Sequence, residues 1–169
     1  MPVKRVKRWI AILQKHSDAW WYAPAVALLA GLDAFIVIIP TDGLLIGAVM
    51  LNPRRWVYTA FIVTLGSSIG AWALAALLEI QGLPLLLKLS PEIQQTGAWE
   101  WSNWLMDEWG NITLFLVALS PFMQQPAVAL AALAELPLWN VFLLVFGGRI
   151  IKYGFLAWLG THAPGALKK

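Results

Sequence analysis

The sequence predicts an all-α integral membrane protein: an inverted repeat of a re-entrant helical hairpin plus a transmembrane helix, with amphipathic surface helices. Three observations carry this. The 169 residues are 60% hydrophobic and only 12% charged, about half the charge an ordinary globular domain uses to cover its water-facing surface. Two apolar runs are long enough to cross a bilayer, and two others are broken near the middle into arms of half that length. Cysteine is absent, which excludes disulfides, thiolate metal sites and a Cys nucleophile. His16 and His162 stand near opposite ends, so a histidine metal cluster is not expected, and no cofactor is. The net charge of +3 is concentrated at the ends and in single loops, as membrane-surface positives are, so nucleic acid is not expected as a partner.

The chain reads as one membrane domain. Residues 1–18 carry Lys4, Arg5, Lys7, Arg8 and Lys15, with Val3, Val6, Ile10 and Leu13 at helical spacing, which predicts a basic amphipathic helix on the anionic leaflet. A signal peptide is the competing reading, but no small-x-small cleavage site follows and Pro24 and Trp20-Trp21-Tyr22 do not suit one. Residues 19–53 form the first predicted hairpin. Ala19 to Ile39 is apolar except for Asp33, and Pro40-Thr41-Asp42-Gly43 breaks it, with Pro40 and Gly43 as the structural breakers. The following run, Gly43 to Leu51, is nine residues, about 13.5 Å of helix, and cannot cross a core of about 30 Å. Arg54 and Arg55 then mark the side on which the basic N-terminus lies. Non-helical backbone is tolerated at membrane depth only where protein or a watery cavity surrounds it.

Residues 56–80 are read as a transmembrane helix: Trp56 to Leu78 is free of charge, with Gly66 and Gly70 four apart as a close-packing face. Residues 81–110 set Lys88 against Glu92, Glu100, Asp107 and Glu108, a net charge of −3, and should face outward. Ser90-Pro91-Glu92 predicts a helix start, and Trp99, Trp101, Trp104 and Trp109 predict an interfacial helix anchored by indoles. The second hairpin, residues 111–137, has ten-residue arms either side of Pro121 and Pro126. Leu138 to Gly160 is the second span, and residues 161–169 are a basic tail, which puts both termini in the cytoplasm. At an offset of 81, Pro40 meets Pro121, Phe61 meets Phe142, Gly66 meets Gly147, Trp72 meets Tyr153 and Leu78 meets Leu159. That is faint internal symmetry of the kind opposed broken hairpins show in transporters.

Arg149 lies at the middle of the second span, with Lys152 one turn on along the same face. A cation there costs at least about 2.5–3.5 kcal/mol and should face inward with a partner. One reading is an anion site, phosphate above all, since guanidinium binds phosphate bidentately; the other is an internal ion pair with Asp42 or Asp33. Asp33 and Asp42 are candidate proton-coupling groups, Asp42 equally a helix-capping residue. Gln124 and Gln125 could present amide donors to a head group or bond the broken backbone. Glu79 and Glu135 near helix ends read as snorkelling carboxylates. Ser67, Ser68 and Ser120 have no histidine at membrane depth, so no enzyme is expected. Gly66 to Gly70 and Gly147-Gly148 follow no strand, which removes a nucleotide-binding loop.

The stretches Phe35-Ile-Val-Ile-Ile-Pro-Thr-Asp-Gly-Leu-Leu45, Gly66-Ser-Ser-Ile-Gly70, Leu119-Ser-Pro121 and Gly147-Gly-Arg-Ile-Ile-Lys-Tyr153 resemble the DedA superfamily. It is also called the VTT or SNARE-associated Golgi protein family, and the likeness is to its short YqaA-like branch. The resemblance implies two re-entrant hairpins meeting in the membrane and lipid translocation, for bacterial members often of a polyprenyl phosphate carrier such as undecaprenyl phosphate, with proton motive force implicated. It also implies a bacterial inner-membrane location. Asp33 looks like the family's first-arm acid, Asp42 its tip acid and Arg149 the arginine of its last span. Gln124 and Gln125 stand where arginines usually surround the second proline, which points to a looser head-group choice. The expected partner is therefore a phosphate-bearing lipid, with self-association into a homo-oligomer left open. Two other readings remain: a non-transporting scaffold that uses the Trp-rich helix as its binding face, and a small-ion or proton pathway.

Overall fold

The computed structural model describes residues 21–35, 41–82, 84, 87–88, 91–120 and 124–166. The predicted surface helix 1–18, the breakers Pro40 and Pro121, and residues 167–169 lie outside them. Among the described residues the fold is all-helical, without a strand.

Helix α1 (Tyr22–Leu32) has Pro24 in its first turn, where the missing N–H breaks no bond. It ends on a turn in which the Asp33 and Ala34 amides reach back to Leu29 and Gly31. Helix α2 (Thr41–Leu51) starts with Asp42 in its first turn, where a carboxylate meets the positive end of the helix dipole. Gly43 is therefore helical, which corrects its assignment as a breaker. A glycine supplies freedom only where the backbone needs it, and here α2 continues through it. Asn52, non-helical ahead of Pro53, stops α2, as the residue before proline is disfavoured in the helical region.

After the short 3-10 turn Pro53–Arg55, α3 (Trp56–Gln81) runs 26 residues to Gly82, whose φ of +64 ends it. Helix α4 (Gly97–Trp109) starts later than Ser90-Pro91 implied, because the group that caps it is Thr96. Its extended backbone and Oγ1, accepting from the Trp99 amide at 3.2 Å, satisfy an orphan donor of the first turn. Helix α5 (Ile112–Leu119) gives way to an extended Ser120. Helix α6 (Gln125–Leu133) has Pro126 in its first turn, so this proline starts the second arm and does not break it. Helix α7 (Leu138–Ala166) spans 29 residues, past the predicted end at Gly160.

Two stretches, Pro53–Gln81 and Leu138–His162, are long and apolar enough to cross a membrane. The short helices are not: 11 residues in α1 and α2, 8 in α5 and 9 in α6 correspond to about 12–17 Å. The long helices leave large apolar side chains uncovered, including Val57, Phe61, Ile69, Ile80, Trp139, Leu143, Ile151 and Phe155. That is far more apolar surface than scattered exposed residues account for.

Helices α3 and α7 cross at the centre, and the short helices divide between them in a crossed order. Helix α1 packs on α3 and α5 on α7, while α2 packs on α7 and α6 on α3. Glycines set the closest crossings. A Cβ on Gly66 would overlap the Ala27 carbonyl, and one on Gly70 the Gly31 carbonyl. On the other side a Cβ on Gly148 would stand 2.6 Å from the Phe115 carbonyl oxygen and 2.8 Å from Ala118 Cβ. Small residues let helix backbones approach where both faces are apolar.

Two apolar cores result. One joins Leu74 and Leu78 of α3, Leu114 and Val117 of α5, Val128 of α6 and Val145 of α7. The other joins Val26, Leu45, Val49 and Val63 to Tyr153 and Ala157 of α7. Along α7, Arg149 stands between the residues of the first core and those of the second.

Candidate functional site

Arg149 is 5% exposed. Its Nε donates to Gln124 Oε1 at 2.8 Å, and its Nη1 is buried with no hydrogen-bond partner among the described residues. Gln124 immediately precedes α6, so the break in the second predicted hairpin delivers the acceptor. The cation is thus held by a neutral amide, and the nearest structural alternative, an ion pair with Asp33 or Asp42, is not what forms. The guanidinium stands 5.5 Å from the centre of the Tyr153 ring, one turn along α7, close enough for cation–π attraction.

Lys152 takes the carboxylate instead: its Nζ lies 2.9 Å from Asp42 Oδ2, with the lysine 16% and the aspartate 40% exposed. Its ammonium is 5.7 Å from the same Tyr153 ring. Tyr153 is 1% exposed and supports both cations from beneath, a role that the motif reading did not assign to it. The spacing of Arg149, Lys152 and Tyr153, three and four residues apart, was the available signal.

Gln125 links the two halves. Its Nε2 donates to the Asp33 backbone oxygen at 2.9 Å, so the amide bonds the broken end of α1, one of the two uses expected of it. Its Oε1 is buried and has no partner among the described residues. The Asp33 carboxylate, half-buried, takes a hydrogen bond from the Thr41 side chain and feels Arg149, Asp42 and Lys152. Residues expected to act together are thus drawn from α1, α2, α6 and α7 into one polar cluster. Pro126 lies just beyond it, buried in the first turn of α6.

A groove of about 340 Å³ opens beside this cluster. Leu119, Ile151, Phe155 and Leu156 wall it, and Asp42 and Lys152 supply its polar end. A larger groove of about 510 Å³ between α1 and α3 is lined by Pro24, Leu28, Gly66, Ile69 and other uncharged residues; it can hold an apolar chain but cannot select a charge. The smaller groove therefore has the chemistry of the site.

The serines are engaged elsewhere. Ser67 Oγ donates to the Ala30 carbonyl at 3.3 Å, Ser68 Oγ to Thr64 at 2.8 Å and Ser120 Oγ to Val117 at 2.8 Å. On α4, Trp99 and Trp101 pack against the first core, whereas Trp104 and Trp109 are exposed beside Asp107 and Glu108. Any partner met by this helix would meet the latter pair. No family model, no curated protein and no solved structure matches the chain.

Proposed function

We propose that this chain is an integral membrane lipid translocase of the DedA type, moving a phosphate-bearing lipid across a bacterial inner membrane. In this reading α3 and α7 span the bilayer, and the pairs α1–α2 and α5–α6 are re-entrant hairpins that come in from opposite faces. The observation that carries it is Arg149: a cation buried in an apolar helix, with a neutral partner on Nε and an Nη1 that has no partner among the described residues. A buried charge left part-satisfied is costly, and an anionic head group is the ligand that would relieve it.

The neighbouring groups suit a path. An acyl or prenyl chain lies along Leu119, Ile151, Phe155 and Leu156 while its head group meets Lys152. The Lys152–Asp42 pair is partly exposed, so exchanging the carboxylate for a phosphate costs little. One helical turn deeper the head group reaches Arg149. Asp42 is committed to Lys152, whereas Asp33 has no cation within salt-bridge distance among the described residues, so Asp33 is the group we assign to proton coupling. Movement then follows from the different affinities of the inward and outward states for the charged head.

The test is reconstitution. Vesicles holding wild-type protein should expose an inner-leaflet fluorescent phosphate lipid to an impermeant quencher faster than empty vesicles do. Arg149→Gln, with helicity retained, should reduce that rate to the empty-vesicle level. Unchanged translocation in Arg149→Gln removes the site from the mechanism. The exposed Trp104 and Trp109 favour a second reading, a scaffold; wild-type vesicles without lipid movement would turn attention to that surface.

A further inference from the structure

Two buried polar atoms of the cluster lack a partner among the described residues, and they are of opposite kind: Arg149 Nη1 is a donor and Gln125 Oε1 an acceptor. Both residues are more than nine-tenths buried, at 5% and 6% exposure. The identity of the second atom is fixed chemically. The Asp33 carbonyl 2.9 Å from the Gln125 amide can only accept, so the atom facing it is nitrogen and the one left over is oxygen. A fully deprotonated phosphate has acceptors alone, so one that met both atoms would answer Arg149 while setting lone pairs against Gln125.

We infer that Gln125 is a specificity residue, and that the head group this site takes is a monoanion that also presents one hydrogen-bond donor. The inference rests on the reading of Arg149 as an anion site. The charge agrees with it when Asp33 carries its coupling proton: Lys152 is then neutralised by Asp42 at 2.9 Å, and Arg149 is left to balance about one negative charge. Two chemistries supply such a group. One is a phosphate monoester in its protonated form, whose P–OH donates; the other is a phosphodiester whose alcohol substituent carries a hydroxyl. A buried acceptor discriminates strongly, because a ligand without the donor leaves it desolvated and unpaired.

The experiment compares three amphiphiles of one chain length on the purified full-length protein in a non-ionic detergent, with affinity read from tryptophan fluorescence. They are dodecyl phosphate, dodecyl methyl phosphate and dodecyl glycerol phosphate. The methyl diester is a monoanion without a donor, so it reports any pH effect that belongs to the protein. At least one donor-bearing probe should bind about tenfold tighter than the methyl diester. An advantage of dodecyl phosphate present near about pH 5 and lost near about pH 8, across the second phosphate ionisation, assigns the donor to P–OH. A pH-independent advantage of the glycerol ester assigns it to the alcohol. Gln125→Met should bring the three affinities together. A methyl diester that binds wild-type protein as well as both other probes overturns the inference without needing any variant, as does a preference that survives Gln125→Met. Arg149→Gln separates the two layers: loss of all three probes upholds the anion site even where no donor preference exists, and undiminished binding overturns the anion site and this inference together.

Discussion

Replacing Gln124 by Leu keeps the volume of a side chain that is 6% exposed and deletes the oxygen that receives Arg149 Nε at 2.8 Å. The guanidinium, whose Nη1 has no partner among the described residues, then has a second buried N–H without one. Stranding a donor on a charged group costs about 2–3 kcal/mol. For a chain of this size each kcal/mol moves the melting temperature by about 2–4 °C, so Gln124→Leu should lower Tm by about 4–12 °C. Arg149→Met acts differently. It leaves a neutral amide oxygen unpaired, about 1–2 kcal/mol, but removes the desolvation penalty of the cation, a relief of comparable size or larger. Its Tm should stay near wild type, and the double variant should recover most of the loss caused by Gln124→Leu. The assay is thermal unfolding of the purified protein in detergent, followed by its tryptophan fluorescence. A Gln124→Leu protein that melts with wild type, or an Arg149→Met protein that melts below Gln124→Leu, would refute the argument that the amide exists to hold the cation.

The remaining expectations concern packing, topology and coupling. Gly70→Leu should prevent α1 from seating on α3, seen as a large loss of folded protein. Gly154→Ala, whose Cβ meets nothing within 4 Å, should be neutral or stabilising by up to about 1 kcal/mol in the same melting assay. The chain has no cysteine, so single cysteines report topology. An impermeant maleimide should label Asn103→Cys in intact cells and Asn52→Cys only after permeabilisation; the reverse pattern, with the N-terminus inside, would exclude the re-entrant first hairpin, and labelling of both from outside would exclude α3 as a span. Asp33→Asn should make lipid movement independent of a pH gradient, whereas Lys152→Met should slow it and leave stability within about 1 kcal/mol of wild type, as partly exposed ion pairs contribute little. Flux measured with and without an imposed gradient checks both.

The extents of several helices were legible in the residues because their causes are local, whereas Gly43 and Pro126, read as breakers, lie inside helices. The span expected over 56–80 is found as Trp56–Gln81, since Pro53 and Gly82 bound an uninterrupted apolar run. The arms around the second break are found at Ile112–Leu119 and Gln125–Leu133. The start of α4 was not legible: Ser90-Pro91 and Thr96 both carry a capping side chain, and backbone conformation chooses between them. Inward orientation of Arg149 followed from the cost of a cation in an apolar helix, but its partner did not. Whether Asp33, Asp42 or Gln124 reaches it depends on how α2 docks on α7 and α6 on α3, contacts between segments far apart in the chain that no local spacing encodes. Tyr153 stood in the motif, but its role was not legible for a related reason: nothing in the spacing shows both cations lying over its ring.

The crossed order of the short helices bears on how such a chain is made. During synthesis α1, α2 and α3 emerge first, yet α2 has its resting place on α7 and α3 is finished only when α6 arrives. Until the ribosome has delivered Gln125 and Lys152, the Asp33 carbonyl and the Asp42 carboxylate have none of their eventual companions. The nascent first half must therefore wait, sheltered by the insertion machinery or an assisting factor, and a polypeptide interrupted after Gly110 is expected to be degraded and not to persist as a stable fragment.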